Sequence, residues 1–115
     1  LDGVEQGIAR VTKGTVSFDS GTVTIGTTDS NTFIHSVTIE KGAGNWNGAN
    51  STTEITVGDD GDTDRLFAGF DPTVQCKSNE FHHYTSATAI KAYVTQGGAS
   101  AGTATILITF SGNID

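Results

Sequence analysis

Apolar and polar residues alternate with a period of two along much of this chain, the signature of strands with one buried face. The pattern is clearest in residues 33–40. There Phe33, His35, Val37 and Ile39 share one face, and Ile34, Ser36, Thr38 and Glu40 the other. It returns where Ala104, Ile106, Ile108 and Phe110 stand opposite Thr103, Thr105, Leu107 and Thr109, and again at Ile90, Ala92 and Val94. Segment 86–94 also admits a short helix, but Thr88, Tyr93, Val94, Thr95 and the following Gly97-Gly98 favour a strand. The spacing predicts strands near 4–12, 15–19, 22–26, 33–40, 54–58, 66–70, 74–77, 80–85, 89–96 and 103–110.

One phrase occurs at three places, Gly14–Phe18, Gly21–Ile25 and Gly102–Ile106, each a glycine followed by a Thr/Val/Ile alternation. The first two, joined through Asp19-Ser20-Gly21, read as a hairpin with glycine supplying positive φ. Residues Gly97–Gly102 read as the hairpin connection between the last two strands, either a loose turn or a place where another backbone approaches closely. Eight or so strands in 115 residues imply one domain. The fold expected is an all-β, two-sheet antiparallel sandwich of the jelly-roll or another Greek-key type. Leu1–Gly7 stands apart as an N-terminal arm able to add a strand to a neighbour's sheet edge.

Charge narrows the class of partner. The net charge is −7 with only six basic residues, scattered as Arg10, Lys13, Lys41, Arg65, Lys77 and Lys91. A nucleic-acid binder needs clustered cations, so nucleic acid is excluded as the expected partner. No apolar run approaches the ~20 residues a membrane helix needs. The single cysteine, Cys76, excludes an intrachain disulfide and reads as a buried thiol.

Candidate chemistry is sparse. Asp60, Asp62, Asp64 and Asp71 have the spacing of a carboxylate-rich calcium loop. Arg65 stands where that loop needs glycine, and Leu66-Phe67 interrupts it, so an acidic solvated turn between Gly58 and Asp64 is the plainer reading. His82 and His83 are adjacent on a strand and point to opposite faces, which opposes a shared zinc, and His35 reads as a core histidine. Cys76 with either of those histidines is a conceivable dyad, but no nucleophile elbow or phosphate-binding loop is present. The residues point to a non-enzyme without cofactors. Trp46, in the glycine- and asparagine-rich loop Gly42–Thr53, is the leading contact residue, either open to a partner or folded back on its own loop. Asn50-Ser51-Thr52 is a short glycosylation sequon. Leu66, Phe67 and Phe70 place apolar groups on both faces of one strand, which implies a subunit interface, a covering loop or an irregular core segment.

The two ends of the chain carry a resemblance. Val4-Glu5-Gln6-Gly7 with the first two glycine–threonine strands, and Ala89–Gly98 with Ala101–Ile106, resemble the Thr/Gly-rich hairpins of small all-β virion proteins of tailed bacteriophages. The likeness covers roughly the first and last 25 residues. It implies a head-decoration (cement) protein on the capsid surface, trimeric, binding the major capsid protein or other virion subunits, with no catalytic residue to carry over. The competing expectation is a carbohydrate-binding module or receptor-binding tail or fibre domain, using Trp46, Tyr84 or the loop asparagines on a sugar.

Overall fold

The computed structural model describes residues 10–41, 46–70, 76–78 and 80–115. Its strands are β1 (Arg10–Ser17), β2 (Thr22–Thr27), β3 (Thr32–Lys41), β4 (Glu54–Asp59), β5 (Asp62–Phe70), β6 (Cys76–Ser78), β7 (His82–Tyr84), β8 (Ala89–Thr95) and β9 (Thr103–Ser111). Two antiparallel sheets form a sandwich. One runs β1-β9-β3, with β6 and β7 both paired to the far side of β3, and the other runs β2-β8-β4-β5. The core lies between them, where Ile34, Val37, Ile39, Ile106 and Ile108 meet Ile55, Val57, Leu66, Ile90 and Ala92, all fully buried. The expected inward sets on β8 and β9 are found there, with Val94 partly buried at the margin.

Neither expected hairpin at the ends exists. β1 pairs with β9 and β2 with β8, so the turn at 18–21 carries the chain from one sheet to the other. That corner is held by Ser20 N–H on the Ser17 carbonyl (3.0 Å), by Ser17 N–H on the Ser20 hydroxyl (2.8 Å) and by Gly21 at φ 67°. The connection from β8 to β9 likewise changes sheets. Residues 15–19 do not begin a new strand after a break at Gly14, because β1 runs unbroken through it. Gly14 serves close packing instead: a Cβ there would stand 2.6 Å from Cδ1 of Ile25, a β2 side chain that covers it from the opposite sheet.

The alternation in β3 also breaks. Ile34 faces Phe110 and Ser36 faces Thr109, so one extra residue, His35, bulges out of the ladder. A single inserted residue exchanges the faces on either side of it. Ile34 is therefore buried with Val37 and Ile39, while Phe33 and His35 turn to the outer face. His35 is not a core histidine.

β5 is more irregular still. Val57 faces Phe67 and Asp59 faces Asp62, so β5 spends five steps where β4 spends two. The excess folds its backbone over Gly58, where a Cβ would overlap the Asp62 carbonyl and lie 2.7 Å from the Thr63 carbonyl carbon. This excursion buries the consecutive pair Leu66 and Phe67 inside one chain. Of the three explanations for apolar residues on both faces, the irregular core segment accounts for this pair. The Phe70 side chain, Asp71, the Cys76 side chain and the arm Leu1–Gly7 lie outside the described residues.

Candidate interaction surface and the polar cleft beside it

The acidic segment forms a tight β4–β5 turn. Asp59 closes it by accepting Gly61 N–H and Asp62 N–H on Oδ1, both at 3.0 Å. Its Oδ2 accepts the Arg65 Nε–H and the Tyr84 hydroxyl, each at 2.7 Å. Asp59 is 4 % exposed, and burial pushes its carboxyl up, but the hydrogen bonds from Arg65 and Tyr84, with the Arg65 charge and the Asp62 amide, outweigh that and hold it below the usual carboxylate range. Burial, then the bond to Asp59, pushes the Tyr84 phenol up. His82 is lowered, first by burial and then by the Arg65 charge. Beside this network a cleft of about 210 Å³ is lined by Arg65, His82, Tyr84, Thr85, Ser86 and Thr88. Asp59 already accepts from four groups at close range, so it fastens β4, β5 and β7 together and has little capacity left to act as a base.

Of the calcium candidates, Asp60, Asp62 and Asp64 are among the described residues and Asp71 is not. Asp60 is exposed and bonds Lys91 Nζ at 2.8 Å. Asp62 and Asp64 lie on β5, where a shared hydrogen bond and mutual repulsion push the Asp64 carboxyl up. Among the described residues no three His, Cys, Asp or Glu side chains form a metal-sized group.

Trp46 is folded back, 4 % exposed, with Nε1–H donating to the Thr103 carbonyl at 2.9 Å. Its ring lies against Gly102, where a Cβ would overlap it. The indole closes the end of the core and presents no open face to a sugar. Tyr84, the second aromatic considered for a sugar, is also buried and engaged. The backbone that approaches Gly97–Gly102 is the chain's own: Ser100 N–H bonds the Asn47 carbonyl at 2.7 Å, and Gly48 packs on Gly98. Asn50 of the sequon is bonded to Thr52 N–H (3.0 Å) and hydroxyl (2.6 Å).

What the chain does expose is an aromatic and imidazole patch on the outer face of the five-stranded sheet. His83 stacks on Phe33 at 4.0 Å and 5°, Phe81 packs on Phe33 at 5.8 Å, and His35 meets Phe81 edge-on at 5.5 Å. Phe81 remains 58 % exposed, and Val11 across the same face is 61 % exposed. Sequence reasoning missed this patch because it depends on the His35 bulge and on β7 pairing with the start of β3. Residues 80–85 were legible as a strand, but not their partner. His35 Nε2 and the Ser111 hydroxyl, 2.7 Å apart, form a hydroxyl–imidazole pair. The other contact given to that ring is the edge-on packing of Phe81.

No family model matches this chain, and no curated protein does. Its fold is shared with chains of three phage capsid structures. A chain of the acid-stable capsid of Helicobacter pylori bacteriophage KHP30 aligns with TM-score 0.77 and 18 % identity, over 96 % of this chain and 93 % of that one. A chain of the cyanophage Pam1 capsid aligns at 0.68 and 20 %, over 91 % and 85 %. A chain of the Ralstonia phage GP4 capsid aligns at 0.66 and 9 %, over 96 % and 88 %. The resemblance read from the terminal strands thus extends to the whole fold: a small all-β sandwich of the kind found in phage capsids.

Proposed function

We propose that this chain is a non-enzymatic structural protein of a bacteriophage virion, a head-decoration protein that binds the outside of the capsid and stabilises it. The observation that carries this reading is whole-length fold similarity to chains of three different phage capsids. The strand order, with β1 to β4 alternating between sheets, supports a jelly-roll reading, an architecture used by viral capsid domains and also by lectins. Burial of Trp46 and Tyr84 weighs against the lectin use, because neither ring is open to stack on a sugar. The patch of exposed Phe81 with half-buried Phe33 and His83 supplies a protein-contact surface in its place. Many weak contacts repeated around a symmetric shell act together, which suits a small chain carried as a trimer on the major capsid protein.

The test is to add the purified chain to particles of its own phage assembled without it. Binding to the heads, with a rise in their melting temperature, is the expected result. Heads that neither retain the chain nor gain stability would refute the decoration role. Removing residues 1–7 should abolish retention while leaving the fold of the free chain unchanged.

A further inference from the structure

We infer that the cleft between β5, β7 and residues 85–88 takes the carboxylate of an acidic side chain from a protein partner, held by the free edge of the Arg65 guanidinium. This deepens the structural role above and rests on it for which protein supplies the acid.

The cleft holds about 210 Å³, far more than the ~15 Å³ a single water needs. Its acceptors are spent. Asp59 receives Gly61 N–H, Asp62 N–H, Arg65 and the Tyr84 hydroxyl. The Ser86 carbonyl receives the Thr88 hydroxyl at 2.9 Å and the Thr28 hydroxyl at 3.4 Å. The donors are not spent. Arg65 turns one edge to Asp59, with Nε 2.7 Å from Oδ2 and Nη2 3.4 Å from Oδ1. A guanidinium has a second edge, Nη1 with the far side of Nη2, that grips a carboxylate in the same forked way. Nη1 has no hydrogen-bond partner among the described residues, and the Arg65 side chain is 33 % exposed. The hydroxyls of Thr85 and Ser86, both exposed residues of the cleft wall, also lack a partner among the described residues. A donor-lined cavity around a half-used guanidinium selects an acceptor, and a carboxylate matches the fork.

Charge narrows the ligand further. Arg65 and Asp59 neutralise each other, so a second carboxylate brings uncompensated negative charge. His82 lines the same cleft and is lowered by burial first and by the Arg65 charge second. A carboxylate entering beside it favours the imidazolium, so His82 takes up a proton as the acid binds. The other charges acting on His82 are those of Asp59, His83 and Asp62, with Asp62 the weakest. One singly charged carboxylate is balanced in this way, whereas a phosphate dianion, in a chain of net charge −7, is not. A protein source fits because His83, which borders the cleft, also stacks on Phe33 in the aromatic patch. The acid is thus received beside the surface proposed for protein contact.

The probe is the blocked tripeptide acetyl-Gly-Glu-Gly-amide, whose only carboxylate is the side chain, with its Gln counterpart as control. Each is titrated into the isotope-labelled full chain at fixed ionic strength and followed by NMR. The glutamyl peptide should give saturable shifts at the Arg65 Nε–H and the Ser86 amide and raise the titration midpoint of His82. The glutaminyl peptide should do neither. Binding should be tighter at about pH 6 than at about pH 8, because proton uptake by His82 accompanies it. Arg65→Lys keeps a cation for Asp59 but has no second edge, and should weaken the glutamyl peptide about tenfold or more. Equal binding of both peptides, binding of neither, or a folded Arg65→Lys chain that binds as tightly as wild type would each overturn the inference. So would acetate saturating these signals where the glutamyl peptide does not, because the cleft then takes a small free anion and not a side chain. The peptide pair is compared on the wild-type chain, so the inference remains falsifiable even where Arg65→Lys fails to fold. Capsids play no part in this measurement: a chain that binds the glutamyl peptide but ignores heads defeats the function above and leaves the cleft standing.

Discussion

Replacing Tyr84 by Phe isolates the bond that ties β7 to the β4–β5 turn. The phenol donates at 2.7 Å to a carboxylate that is 4 % exposed, and the ring itself is 5 % exposed, so the change removes one oxygen with almost no change in packing. A hydrogen bond to a charged group contributes about 1.5–3 kcal/mol. Asp59 Oδ2 keeps its bond from Arg65 Nε at 2.7 Å, which places the expected loss near the lower half, at ~2 kcal/mol. At roughly 2.1 cal/mol/K of unfolding entropy per residue, a domain of this length loses ~4 °C of Tm per kcal/mol, so Tm should fall by ~8 °C. Urea unfolding followed by the buried Trp46 measures the same difference at fixed protein concentration. The pH dependence carries the sign. The folded Asp59 carboxyl lies below its ordinary value of 3.8, so its stabilisation is present above that pH and is lost as pH falls through the folded value. The gap between wild type and Tyr84→Phe should be constant above about pH 5 and shrink below 3.8. A loss under ~0.5 kcal/mol, or a gap that widens as pH falls below 3.8, would refute the role given to this bond.

Further outcomes follow from particular contacts. Gly58→Ala forces a methyl into the Asp62 carbonyl and should cost at least ~2 kcal/mol in urea unfolding, because the obstacle is backbone. Trp46→Phe leaves the Thr103 carbonyl without its donor and should cost about 1–3 kcal/mol, while glycan-array binding stays at background for both proteins. Adding calcium or a chelator should leave Tm unchanged, since Asp60 is already held by Lys91 and a ligand bound only to the native state would raise Tm.

How far the sequence could be read depended on whether a strand keeps its period. β9 and β8 alternate without interruption, and their inward residues were legible directly. β3 was legible as a strand but not in its facing, because a one-residue bulge at His35 leaves no mark in a hydropathy pattern. Glycine signalled a turn at residues 14 and 21, yet only Gly21 makes one. Gly14 is needed because Ile25 from the other sheet occupies the space of a side chain. Strand pairing was the least legible feature, since a short Asp-Ser-Gly link serves a hairpin and a sheet-to-sheet corner equally well. The candidate interaction surface follows from those two unread features. His35 and Phe33 reach the outer face only through the bulge, and Phe81 and His83 join them only through the β7–β3 pairing. Trp46 had the composition of a contact residue, and only the position of Gly102 shows that its ring is already covered.

The central proposal is that this chain belongs to a capsid exterior, and quantitative mass spectrometry of purified virions from its source tests that proposal most directly. The account predicts that the chain is present in copy number comparable to the shell subunits and accessible to surface labelling on intact heads. Its absence from purified particles, or a copy number fitting only a tail, would contradict the account.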